Sequence, residues 1–233
     1  MRLLTVDTSG PVCGAAVLEG ERVLSEFTAQ SGNTHSASLM PMVERCLEAA
    51  GRTLEEMDGL AVVTGPGSFT GVRIGVATVK GLAHGSGKPC YPVDALEALA
   101  ESTGASFQDV LVCPMQDARA GQVYGAFFRN GQRLTGDAPM KLEDYLAEAR
   151  GRSEGPWLFT GDGMAAHRGI IRERMGGGAL FAPAPFCFLR PSAAGLLAAR
   201  KGVPVTWQDL KECYLRPPNA EKNRKLLEAM RHE

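Results

Sequence analysis

The sequence predicts an α/β protein of two lobes, and three observations predict it. Apolar runs at the start read as strands separated by tight turn signals; helix then alternates with strand as far as residue 103; and after the polar stretch "TGASFQD" the alternation begins again. A chain of 233 residues is long enough for one large core or two lobes of about 100 residues each. The expected boundary near residue 104 divides a first lobe, 1–103, from a smaller and less regular second lobe, 104–233, that ends in a polar, helical tail.

Residues 2–7, 12–18 and 22–29 read as three strands, parted by "TSGP" and "EGE", and make an antiparallel meander. From His35 to Ala50 the apolar residues Leu39, Val43, Cys46 and Ala50 recur at the spacing of one helical face, and Gly51 follows as a stop. His35 is read as helping to cap that helix. "GLAVVTG" is a buried strand, 68–87 a second helix, "CYPV" a short strand, and "DALEALAES" a third helix capped by Asp94. In the second lobe, "VLVCPM", "QVYGAFF" and "WLFTG" read as strands, and 141–150, 162–174 and 192–201 as helices.

The formal net charge of −1 gives no global basic field, so the chain alone is not expected to attract nucleic acid over distance. Six cysteines without a C-x-x-C spacing sit mostly in apolar runs and read as small hydrophobes in a reducing, cytoplasmic setting. The opening "MRLLTVDTSG" is too short and too polar for a signal peptide, and no run reaches the length of a membrane span.

"VVTGPGSFTGVRIG" joins a strand to a helix through Gly65-Pro66-Gly67-Ser68, a place where free backbone N–H groups suit an anion. It lacks the lysine of a phosphate-binding P-loop. The helix that follows carries Gly71, Gly75, Gly81 and Gly85, which together cost about 4 kcal/mol of helix propensity relative to alanine. Gly71, Gly75, Thr78, Leu82 and Gly85 share one face, bare enough for another backbone to approach, inside the lobe or across subunits. "TVDTSG" puts Asp7 at a strand end with Thr8 and Ser9 in the turn, as in the actin, sugar-kinase and Hsp70-like (ASKHA) ATPases, where this position meets a metal-bound water and phosphate; the alternative is an Asx turn. No two of His35, His84, His167 and His232 have helical ligand spacing, and no G-x-S-x-G elbow is present. Asp117 and Arg119 read as a local ion pair, and Arg216, Lys222, Arg224 and Lys225 as a solvated basic cluster near the end.

Taken together, "LLTVDTSG", "HSASLMPMVERCLEAAG", "GLAVVTGPGSFTGVRIGVATVKGLA", "DALEALA", "DARAGQVYGAFF", "GDG" and "YLRPP" resemble the TsaB (YeaZ) family, which serves the synthesis of threonylcarbamoyladenosine beside the anticodon of ANN-reading tRNAs. The resemblance runs along nearly the whole chain and is most specific over residues 59–83. It implies the two-lobed ASKHA fold and an inactive relationship to TsaD, which transfers the threonylcarbamoyl group with a metal held by a His-x-x-x-His pair. Ala95 and Leu99 fall at that pair's positions, so the resemblance implies neither a catalytic residue nor a metal site in this chain. It also implies a helix interface carried by Leu39, Val43, Cys46, Gly71, Gly75, Thr78 and Leu82 that docks TsaD, pairs with itself in the isolated protein, and lies near the ATPase TsaE. ATP and metal then belong to the partner subunits, tRNA is met through the complex, and Asp7, Thr8 and Ser9 are a vestigial nucleotide site. The alternative is an active phosphotransferase using Asp7 with the Gly161-Asp162-Gly163 turn; a metallopeptidase is a further one, against which Ala95 and Leu99 count.

Overall fold

Strand alternation and turn residues put the first sheet where the sequence calls for it. The computed structural model describes residues 1–30, 34–104 and 109–216. Strands β1 (Arg2–Asp7), β2 (Cys13–Glu19) and β3 (Arg22–Ala29) form the antiparallel meander; helix α1 (His35–Ala50), strand β4 (Gly59–Gly65), helix α2 (Phe69–Ser86), strand β5 (Cys90–Asp94) and helix α3 (Ala95–Ser102) follow. The sheet order is β3-β2-β1-β4-β5, with β4 and β5 parallel to β1. This meander-plus-parallel arrangement is the ASKHA-type plan. Asp94 caps α3, accepting the Glu97 N–H at 2.7 Å.

The second half repeats that plan. β6 (Leu111–Asp117) is central, flanked on one side by antiparallel β7 (Gln122–Gly125) and on the other by parallel β11 (Trp157–Thr160) and β12 (Ala179–Phe181). Its sheet order is β10-β7-β6-β11-β12. "QVYGAFF" is not one strand: it divides into β7 and β8 (Phe128–Arg129), and β8 turns back through β9 (Gln132–Arg133) before β10 (Ala138–Lys141). The central strands β1 and β6 both end in aspartate, Asp7 and Asp117. Helices α4 (Leu142–Arg152), α5 (Asp162–Met175) and α6 (Pro191–Lys201) complete the half.

The lobes do not part at residue 104. α6 returns to the first sheet, packing on β1 and β2 and beside α3, while α3 packs on β6. Alanine and glycine make this possible: Ala193, Ala194, Gly195 and Ala198 are buried, and a Cβ on Gly195 would meet Thr5 Oγ1 at 2.7 Å. Glu26 of β3 anchors the return, accepting the Ser192 N–H at 2.9 Å and pairing with Arg190. Leu210 then enters the first core, and Val205 bridges to Cys90. A shared apolar layer containing Leu96, Leu99, Val112, Phe128, Ala194 and Leu197 therefore joins the two sheets. Arg133 adds a polar tie, reaching Asp94 at 2.6 Å.

Packing also corrects the expected interface. Leu39, Val43 and Cys46 are almost fully buried in the first core, facing the sheet. Gly71 and Gly75 are buried too; a Cβ on Gly71 would overlap the Thr8 carbonyl, and one on Gly75 would lie 2.5 Å from Thr8 Oγ1. The bare glycines let α2 rest on the β1–β2 turn within the lobe. Thr78 and Leu82 are half-buried, and Gly81 stands in open space. Among the described residues no helix is long and apolar enough to cross a membrane.

Gly75→Leu is thus expected to destabilise the isolated chain by about 1–3 kcal/mol or more, through overpacking. Gly81→Ala should stabilise it by up to about 1 kcal/mol. Urea unfolding of the two variants beside the parent checks both, and a neutral Gly75→Leu would contradict this packing.

Candidate functional site

The chain reverses its strand order beside β1 in one sheet and beside β6 in the other. In open α/β sheets such switch points, at the carboxyl ends of the strands, are where ligands bind. Here both switch points open into one cleft of about 790 Å³. Its floor and walls come from Ser9, Gly10 and Pro11 of the β1–β2 turn, Gly67 to Thr70 at the start of α2, Gln116 and Asp117 at the end of β6, Asp162 at the start of α5, and the segment Cys213–Arg216.

Each of the three residues at the end of β1 is buried and occupied within the protein. Asp7 accepts the Ser9 N–H at 2.8 Å, closing an Asx turn. Thr8 donates its hydroxyl to the Gly71 carbonyl at 2.7 Å, and the Ser68 N–H donates to the Ser9 carbonyl at 2.7 Å. The free N–H groups expected at Gly65-Pro66-Gly67-Ser68 are therefore partly satisfied by the β1–β2 turn. Burial pushes the Asp7 carboxyl up to about 6, against the smaller opposing effect of the Ser9 hydrogen bonds. Asp162, across the cleft, is likewise raised to about 6 by burial.

His35 does not cap its helix; its ring Nε2–H donates to the Gly10 carbonyl at 2.9 Å and so braces the turn. The Asp117–Arg119 pair forms locally, at 3.5 Å, with the Arg119 N–H also bonded to Asp117. Gly161 precedes α5 in a left-handed conformation, with φ of 98°, and a Cβ there would overlap the Met115 carbonyl. Ala95 and Leu99 are buried in the apolar layer between the sheets and offer no lone pair. Among the described residues no group of three His, Cys, Asp or Glu side chains is placed to hold a metal ion. Arg216 is not on a solvated tail, since it donates to the Ala118 carbonyl at 3.4 Å and lies over the Tyr124 ring; Lys222, Arg224 and Lys225 lie outside the described residues.

Two features were missed in the sequence. Gln116 is 3% exposed, faces the cleft, and among the described residues its Oε1 has no hydrogen-bond partner. A lone amide at the end of an apolar strand, in "VLVCPMQD", was its only signal. The second is a strap across the cleft mouth. The Cys213 N–H bonds to the Thr64 carbonyl at 2.8 Å, Tyr214 takes the Arg73 Nε–H at 2.8 Å beside Phe69, and Arg216 reaches the second lobe.

Fold and cleft together define a two-lobed ASKHA-type protein whose turn at the end of β1 is filled by its own contacts. A model of the family described as "TsaD: tRNA N6-adenosine threonylcarbamoyltransferase" matches residues 22–199. The chain is 34% identical over 225 residues to the tRNA threonylcarbamoyladenosine biosynthesis protein TsaB of Bacillus subtilis, covering 95% of this chain and 96% of that protein. It is 30% identical over 224 residues to the protein of the same name in Escherichia coli, covering 93% and 95%. Among solved structures it is similar to YeaZ from Pseudomonas aeruginosa, with a TM-score of 0.71 and 29% identity over 92% of this chain and 99% of that one. The chain belongs to the TsaB (YeaZ) family.

The buried acid gives a pH test. Asp7 titrates near 6 in the fold and at about 3.9 in an unfolded chain, so the native state binds more protons between those values. The stability that Asp7 confers is complete below about pH 4 and is lost as pH rises through about 6. Asp7→Asn keeps an acceptor for the Ser9 N–H and removes the charge. It should stabilise the protein near neutral pH, by up to about 3 kcal/mol, and lose that advantage below about pH 4. Urea unfolding at stepped pH decides it; an advantage independent of pH would refute the assignment.

Proposed function

We propose that this chain is a non-catalytic subunit of the machinery that makes threonylcarbamoyladenosine in ANN-reading tRNAs, acting by binding and organising TsaD together with TsaE. The observation that carries the reading is family membership combined with the apolar burial of Ala95 and Leu99, the two residues that the resemblance sets at the ligand positions of the transferase relative. The reactive step, with its metal and ATP, then belongs to the partner subunits, and this chain meets tRNA as a member of the complex. The phosphotransferase alternative finds less support in the cleft, where the Thr8 hydroxyl and the Ser68 N–H are already bonded within the protein.

The docking surface in this reading is the outer face of α1 and α2, not the buried stripe. Met40 is 36% exposed on α1; Ala77 is exposed and Thr78 half-buried on α2, with Leu82 one turn further on. Ala77, Thr78 and Gly81 keep the α2 part of this face small between Arg73 and Lys80, which lets a helix of a partner or of a second copy of the chain come close.

Omitting this chain from a reconstituted mixture with its cognate TsaD, TsaE, ATP and tRNA should reduce threonylcarbamoyladenosine to background, read by nucleoside chromatography. Full modification without it would end the proposal. Met40→Asp combined with Ala77→Arg should weaken TsaD binding tenfold or more, about 1.4 kcal/mol, while leaving the melting curve of the free chain in place. Asp7→Asn should keep modification within several-fold of the parent.

A further inference from the structure

The second lobe carries a surface for which the fold provides no internal use. Arg168 and Arg172 stand one turn apart on α5, both exposed, and both guanidinium groups lie over the ring of Phe181 on β12, at 4.6 and 5.5 Å from its centre. Of the other arginines on α4 and α5, Arg152 pairs with Glu148 and Arg174 with Glu143, while Arg150 donates to the Arg174 carbonyl. Neither Arg168 nor Arg172 has a carboxylate within 4 Å among the described residues. Glu173, next to Arg172, projects about 100° further round the helix. Two like charges held over one ring repel each other, and an external anion between them would remove that cost.

The surroundings narrow what the anion is. Among the described residues β12 is the edge of its sheet, paired with β11 alone. Phe186, 43% exposed, follows β12 in the chain and precedes Cys187, whose thiol lies within reach of the Arg168 charge. Arginine forks beside an open aromatic ring are what a nucleic acid strand uses, phosphate on the guanidinium and base on the ring. An acidic protein would use the charges and has less need of the ring.

We infer that the α5–β12 surface, through Arg168, Arg172 and Phe186, contacts the phosphate backbone and an unstacked base of the tRNA directly. The inference rests on the reading that this chain serves tRNA modification. With a net charge of −1 the chain has no field to capture RNA at a distance, so the contact is weak in the free chain and takes effect once the complex has brought the tRNA close.

The test measures tRNA binding by anisotropy across a salt series, in the complex with cognate TsaD and TsaE and in the free chain at low ionic strength. Arg168→Ala combined with Arg172→Ala should weaken binding about tenfold in both, and the slope of log affinity against log salt should fall by about 1 to 2, as expected for two lost phosphates. Arg168→Lys with Arg172→Lys should restore most of the slope. Phe186→Ala should weaken binding and leave the slope unchanged. Arg22→Ala, exposed on β3, is the charge control and should change little. Unchanged affinity and slope in the double alanine variant overturn the inference. So does loss of TsaD or TsaE assembly with free-chain tRNA binding intact, which makes the surface a protein-docking face. A wild-type mixture that needs no copy of this chain would instead overturn the functional reading, and the free-chain measurement reports on the surface in either case.

Discussion

Everything at the mouth of the cleft depends on how closely α2 approaches the turn between β1 and β2. Two hydrogen bonds hold it, from the Thr8 hydroxyl to the Gly71 carbonyl and from the Ser68 N–H to the Ser9 carbonyl. The approach requires that neither residue 67 nor residue 71 carry a Cβ, since one would overlap the Ser9 carbonyl and the other the Thr8 carbonyl. The four glycines of α2 each weaken an isolated helix by about 1 kcal/mol. For Gly71 and Gly75 the weakening is offset by burying helix against turn; Gly81 and Gly85 meet nothing within 4 Å and have no such compensation among the described residues. The same contact turns hydroxyls and amides inward, so the end of β1 is spent on structure.

The repetition of one sheet plan in both halves explains why acidic groups gather between them. Each central strand ends at a switch point, and each ends in aspartate. Superposed on this symmetry is an asymmetry of burial. Asp7 is sealed beneath α2, whereas Asp117 lies in a local turn with Arg119. α3 and α6 then cross between the halves and bury a common apolar layer, and the Cys213–Arg216 strap ties both lobes at the cleft mouth. A hinge that opens and closes around a ligand needs a thin, polar interface between domains. A continuous hydrophobic layer is the opposite.

The polar and apolar faces divide accordingly. The inward faces of α1 and α2 are core; outward, α1 shows Glu44, Arg45 and Glu48 beside Met40, and α2 shows Ala77 and Gly81 beside Arg73; α5 turns its cations outward beside an edge strand. Such separation leaves the side chains on the outside of the lobes free to change without disturbing the packing beneath.

By itself the sequence determined the first lobe almost residue by residue. Alternation, the Gly51 stop and the Asp94 cap are local signals, and local signals set the bounds of strands and helices. The family, too, was legible in motifs spread along the chain. Only the tertiary structure decided which neighbour covers each face. The stripe of Leu39, Val43 and Cys46 and the bare face of Gly71 and Gly75 have the same spacing whether they meet a partner or the chain's own sheet, because periodicity gives a face and not its occupant. The division of "QVYGAFF" into two strands, the short strands β9, β10 and β12, and the return of α6 to the first lobe depend on contacts distant in the chain, which no local window contains. Gln116 and the Cys213–Arg216 strap stayed hidden for the same reason: each acquires its place in the cleft only when the ends of both sheets are brought together.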